Sequence, residues 1–241
     1  MKLFICIDDT DIIGSKGTGE IAEEIGALLQ QKQLGQASSV SRHQLFVHPD
    51  IPYTSHNSSM CFELKTQAEH LPAITQCCIE HLLEQSAEGS DPGLAIATEE
   101  GCDWPRLIDY GQQAKKRVLT KALAYDLAKQ LGVHLSEHGG SGDGIIGALA
   151  GIGLRKYGSD GRLKGQIQLP QHCSSMLVAE LIEQTAIEQV LDLAHQPLSS
   201  TAQIQLQGKI KAVRWHGQSC LLVDKQDGLW HNVGRQQLKD Y

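Results

Sequence analysis

Three carboxylates, Asp8, Asp9 and Asp11, follow the apolar run of residues 4–7, with Thr10 among them. Residues 4–7 have the content of a buried strand, so the acids stand where that strand leaves the core. Like charges crowded at one strand end repel unless a cation sits among them. A hard ion such as Mg²⁺ prefers oxygen ligands, keeps several waters and bridges to substrate phosphates, which suits this cluster. The plainer use of Asp9 or Asp11 is to cap a helix or turn the chain, but one cap takes only one carboxylate. Asp8, Asp9 and Asp11 are therefore the expected metal ligands and catalytic residues.

A Gly-rich segment, residues 14–19, comes next, and residues 19–34 carry Ile21, Ala22, Ile25, Leu28 and Leu29 at helical spacing. Gly17, Thr18 and Gly19 open that helix. Its N–H groups and positive dipole end attract a phosphate, bridged to the carboxylates through a metal. Thr10 and Lys16 complete this nucleotide-binding set, and Lys16 or Arg42 is placed to offset transition-state charge. A second phosphate-binding candidate is Gly139, Gly140, Ser141, Gly142, Asp143 and Gly144, where glycines let backbone N–H groups approach an anion. It is neither a Walker A loop nor a dinucleotide fingerprint, and it reads equally as a turn that lets residues 147–153 pack tightly. Asp143 is a turn residue or a further metal ligand.

The loop of residues 48–59 is long, polar and stiffened by two prolines. His48, Tyr53, Thr54, His56 and Asn57 from it, with Arg42, form the expected substrate-binding set, and His48 or His56 is the candidate proton carrier. His43 and His48 lie an odd number of residues apart, so on one strand they face opposite sides, which argues against a transition-metal site. No GxSxG elbow and no cysteine with a recognisable base marks a nucleophile.

The elements that position these residues alternate. Residues 44–47, 60–64 and 93–98 read as strands; 71–85, 112–131 and 175–193 read as helices, and another follows the loop at 139–144. From 202 to 233 apolar and polar residues alternate, with glycines spaced as turns. The expected architecture is an α/β (α+β) sandwich of helices on a sheet, residues 1–198, followed by a small antiparallel β unit, residues 199–241. Trp215, Trp230 and Leu229 read as the core of that unit or as a partner contact.

Hydrophobic residues make up 41% of the chain and charged residues 20%, ordinary values for a globular protein. No apolar run approaches a membrane span and the first acids come too early for a signal peptide, so the cytoplasm is the expected location. The net charge of −7 and pI near 5.9 argue against a broad electrostatic grip on nucleic acid. Lys115, Lys116, Arg117 and Lys121 cluster, but at the spacing of a solvated helix face. Seven cysteines form no CxxC pair and read as reduced thiols.

Residues 7–11 (Ile-Asp-Asp-Thr-Asp) with Gly17-Thr18, residues 49–54 (Pro-Asp-Ile-Pro-Tyr-Thr) and residues 144–153 together resemble the archaeal 2-agmatinylcytidine synthetases, which modify the anticodon cytidine of an isoleucine tRNA. The resemblance covers about the first 155 residues. It implies a kinase-like domain with a ferredoxin-like part, here roughly residues 60–135, in which Asp8, Asp9 and Asp11 hold Mg²⁺ and ATP phosphates with Thr18 near them. It further implies activation of a carbonyl oxygen by phosphate from ATP, then displacement by an amine. The family's OB-fold and zinc ribbon have no counterpart among the residues after 155, so tRNA is not expected as a partner unless another subunit supplies the grip.

The expectation is thus an ATP- and Mg²⁺-dependent transferase or ligase acting on a small molecule or nucleoside, as a monomer or a homodimer, with no membrane partner. A non-catalytic nucleotide or metabolite binder is the alternative from another class.

Overall fold

The computed structural model describes residues 1–51, 57–170, 173–234, 236–239 and 241. It divides into two compact units, Met1–Tyr157 and Gly158–Tyr241. In the first, β1 (Lys2–Asp8) is apolar on both faces because it lies between two helical layers. Leu3, Ile5 and Ile7 enter one core, and Phe4 and Cys6 the other. Then follow α1 (Thr18–Gln31), β2 (Gln36–Ala37), β3 (Ser41–Gln44), β4 (Ser58–Lys65), α2 (Leu71–Gln85), β5 (Gly93–Thr98), α3 (Trp104–Ala114), α4 (Lys121–Leu131), β6 (His134–Glu137) and α5 (Gly144–Tyr157). The strands run in the order β6-β5-β1-β4-β3, each pair antiparallel, with β2 also on β4.

The first core takes Ile21, Ala22, Ile25 and Leu29 of α1 and Ile74, Cys77, Cys78 and Leu82 of α2. The opposite core is built from α3, α4 and α5. Small residues let α5 lie against the sheet: a Cβ at Gly147 would overlap Asp8 Oδ2, and one at Gly151 would crowd Cys6 Sγ and Ser59 Oγ. This contact fixes the depth of the acidic strand end.

The second unit contains β7 (Arg162–Leu163), β8 (Ser175–Leu177), α6 (Val178–Gln184), β9 (Gln189–Asp192), β10 (Gln203–Gln205), β11 (Val213–Trp215), β12 (Gln218–Gln226) and β13 (Leu229–Asn232). Their order is β7-β11-β12-β13-β10-β8, with β9 parallel to β12. The α+β class expected from the sequence is the class observed.

Several boundaries differ. The division falls at residue 157 rather than 198, because β8 pairs with β10 and β9 with β12, which joins residues 175–192 to the later strands. The helix expected over 175–193 is accordingly a strand, a short helix and a strand. The helix expected over 112–131 is two: α3 begins where Asp103 caps the Arg106 N–H, and α4 begins where Thr120 Oγ1 accepts from Leu123 N at 3.3 Å. The strand expected over 44–47 lies earlier, at β3. All seven cysteines are free thiols, five of them buried. Among the described residues, no helix is long and apolar enough to cross a membrane.

Candidate nucleotide site at the acidic strand end

Asp8 is the last residue of β1 and is only 7% exposed. Its Oδ1 accepts the Asp9 N–H at 2.9 Å. Burial first, then the charges of Asp9 and Asp11, push its carboxyl up to about 8, while Arg42 on β3 opposes the rise. Asp9 has a left-handed backbone, φ 53°, which turns the chain sharply out of the sheet. Burial, followed by the charges of Asp91, Asp11 and Asp143, lifts its carboxyl to about 6. The charges of Asp91, Asp11 and Asp143 thus all reach Asp9, and those of Asp9 and Asp11 reach Asp8. Asp91, whose charge acts on Asp9, is a residue that sequence reasoning did not single out.

Thr18 is tied to the acidic segment through its hydroxyl. Thr10 Oγ1 donates to Thr18 Oγ1 at 3.0 Å, and Thr18 Oγ1 donates to Asp11 Oδ1 at 3.1 Å. Thr10 and Thr18 are both buried. Gly17 is the N-cap of α1 and supplies no side-chain cap, and a Cβ on it would lie 4.0 Å from Asp11 Oδ2. Asp11 therefore sits at the positive end of α1. Lys16 does not join the cluster: its Nζ is 2.7 Å from Glu24 Oε1 and 2.7 Å from Gln85 Oε1.

The glycine loop is held from within the fold. Asp91 Oδ1 accepts from Ser141 N and from Gly142 N, the latter at 3.2 Å, and Lys121 Nζ donates to the Ser141 carbonyl and to Glu137. Gly140 and Gly142 have φ of 53° and 75°, and a Cβ on Gly140 would overlap Asp91 Oδ1. The two amides expected to cradle a phosphate, at Ser141 and Gly142, thus already have a carboxylate acceptor. The backbone of Asp91 is equally engaged: its N–H donates to Asp9 O at 3.0 Å, and its carbonyl accepts from Gly144 N at 3.1 Å.

Of the expected substrate-binding set, Arg42, His48 and Asn57 are among the described residues. Arg42 Nη2 donates to Gln44 Oε1 at 2.9 Å, and its charge reaches Asp8. His48 stacks on Phe46 with ring centroids 5.4 Å apart, and its Nδ1 accepts from Asp50 N at 3.2 Å. Asn57 closes the loop, donating from Nδ2 to Phe46 O at 2.7 Å and accepting from Leu45 N at 2.9 Å. Tyr53, Thr54 and His56 lie outside the described residues. His43 is buried against Ser41, with Nε2 2.7 Å from Oγ.

Among the described residues, no group of three or more His, Cys, Asp or Glu side chains is gathered to hold a metal. Asp8, Asp9 and Asp11 do not form a ready three-carboxylate cage. The donors at the strand end are nevertheless all carboxylate oxygens, and Mg²⁺ commonly takes one or two carboxylates, with waters and phosphates completing its octahedron. Asp9 with Asp11 or Asp143 fits that pattern.

No family model matches the chain, and no curated protein sequence matches it. Solved structures do. The crystal structure of a tRNA fluorescent labeling enzyme is 22% identical, with a TM-score of 0.56, over 76% of this chain and 43% of that one. Apo TiaS, an agmatidine synthetase of an isoleucine tRNA, is 21% identical, with a TM-score of 0.55, over 76% and 43%. TiaS in complex with that tRNA, AMPCPP and agmatine is 21% identical, with a TM-score of 0.54, over 76% and 44%. The chain spans less than half the length of these proteins. At such identities the likeness is one of fold, and the chain has a TiaS-like α+β fold.

Proposed function

We propose that this chain is an ATP- and Mg²⁺-dependent phosphoryl-transfer enzyme that activates an oxygen of a nucleoside or small molecule for attack by an amine. The observation that carries the reading is Asp11 at the positive end of α1, tied there by Thr18, next to Asp9, whose carboxyl is raised to about 6 by burial and neighbouring carboxylate charge. Such repulsion is relieved by a cation. When bound, Mg²⁺ and ATP supply the electrophilic phosphoryl group and neutralise its charge.

The chain's own residues then act by position and field. Asp9 and Asp11 hold the cation through carboxylate oxygens. Thr18 fixes Asp11 through its hydroxyl, so the first turn of α1 and the carboxylate keep one spacing. The N–H groups of that turn receive phosphate oxygens. Asp8, packed against Gly147 of α5, holds the Asp9 amide with its Oδ1. Losing one preorganised electrostatic contact of this kind typically costs on the order of a hundredfold in rate.

TiaS has been solved with its isoleucine tRNA and ATP, and with the same tRNA, AMPCPP and agmatine. An RNA nucleoside is therefore the first acceptor to test and agmatine the first amine, which revises the expectation that tRNA needs a partner subunit. The test is incubation of the chain with MgATP, unmodified tRNA or free nucleosides, and agmatine, reading nucleotide products by chromatography and nucleoside products by mass spectrometry. ATP consumption that depends on an acceptor supports the reading. Binding of MgATP without turnover on any acceptor would make the chain a nucleotide binder instead.

A further inference from the structure

Asp91 lies 82 positions from Asp9 in sequence, yet its three hydrogen-bonding groups meet both halves of the site. Its N–H holds the Asp9 carbonyl, at the residue with the left-handed backbone. Its carbonyl holds Gly144 N at the start of α5. Its carboxylate Oδ1 takes both Ser141 N and Gly142 N, immediately before Asp143. A Cβ at Gly140 or Gly144 would overlap Asp91, so the loop closes directly over this residue.

We propose that Asp91 is a positioning residue: its carboxylate latches the glycine loop so that Asp143 is held facing Asp9 across the cation site. The inference rests on the proposed function, in which Asp9 and Asp11 hold the cation. Asp91 acts through hydrogen-bond acceptance, because both of its side-chain partners are backbone N–H groups. The task needs an acceptor oxygen at that point, and an amide carbonyl supplies one as a carboxylate does. Lys121 on the Ser141 carbonyl is a second tether, so removal of the latch loosens the loop without releasing it.

Asp91→Asn and Asp91→Ala in the full chain separate position from charge. Amide hydrogen exchange reads the latch with no ligand present. Asp91→Asn should protect Ser141 and Gly142 as the wild type does, whereas Asp91→Ala should speed their exchange at least tenfold, with the α5 interior unchanged. MgATP titration reads the consequence: binding weakens tenfold or more in Asp91→Ala and stays within threefold of wild type in Asp91→Asn. Unchanged exchange at Ser141 and Gly142 in Asp91→Ala overturns the latch. Asp91→Asn binding as weakly as Asp91→Ala assigns the residue to charge and overturns the positioning role. If Asp91→Ala does not fold, loss of protection at Ser141 and Gly142 in Asp91→Asn overturns the proposal on its own. A wild type that binds no MgATP counts against the proposed function, and the exchange arm still decides the latch.

Discussion

Asp8 and Asp9 couple the site to pH. Asp8 is raised from 3.8 to about 8 and Asp9 to about 6, by burial above all. An acid whose folded pKa exceeds its unfolded value binds more protons when folded, so the stability of the cation-free chain falls as pH rises between about 4 and about 8. His134 and His138 act in the opposite sense. Burial lowers both below 6.5, so their contribution is present above that value and is lost as pH falls through it. Asp8→Asn removes the larger part of the first component and leaves that of Asp9 and the second. Thermal melts near pH 5 and near pH 8, without divalent cations, should therefore show the wild type losing stability relative to Asp8→Asn as pH rises; parallel pH profiles would refute the assignment of Asp8.

Among the elements, α5 is the most constrained. Gly153 faces α3, and a Cβ there would overlap the Leu107 carbonyl, which is backbone and does not yield cheaply. Gly153→Ala should cost about 1–3 kcal/mol in urea denaturation, as overpacking typically does. Gly234→Ala, with nothing within 4 Å, is the matched control and should be near neutral. Near the end of the same helix, the Arg155 side chain is 2% exposed and donates to Glu63 Oε1 at 3.0 Å, to Ser39 O at 3.2 Å and to Ser38 Oγ at 2.9 Å. Arg155→Ala strands a partly buried Glu63 and should cost about 3–5 kcal/mol by the same assay, the usual range for breaking a buried pair. A loss under about 1 kcal/mol would show that Lys2, 3.5 Å from Glu63, compensates.

What was legible at this scale follows from range. The helix at Leu71–Gln85 and the strand at Gly93–Thr98 were read to the residue, because helical periodicity and a short apolar run bounded by turn residues are local signals. The break between α3 and α4 was legible too, in Asp103 before a Pro-containing first turn and in Thr120, but the continuing helical period masked both caps. β8 and β9 were not legible, since each exists through partners well separated in sequence. Asp91 was hidden for the same reason. It shortly precedes a strand whose Gly93 pairs with Asp8, and that antiparallel pairing alone brings it to the acidic end. That Thr18 lies beside the acids at β1 was legible because strand, loop and helix are contiguous. The glycine loop was found by composition, but its two central amides bind Asp91, which composition does not encode.

For the whole molecule, charge divides unevenly. Residues 158–241 hold as many Lys and Arg as Asp and Glu, so the net −7 belongs to the first unit. A chain with a net charge of −7 is expected to make few phosphate contacts. Its affinity for tRNA should fall less than about tenfold between 50 and 200 mM salt, where six to ten such contacts would cost about 10³–10⁵. Filter binding across that range measures the slope, and a steep one would reveal a basic surface that net charge conceals.

The most direct test of the site is calorimetric titration of MgATP into the wild type and into Asp9→Asn, with circular dichroism establishing that both are folded. Binding in the wild type that Asp9→Asn loses by a hundredfold or more is the expected result and assigns cation and phosphates to the end of β1. Equal binding in the two proteins, or none in either at millimolar nucleotide, would contradict it.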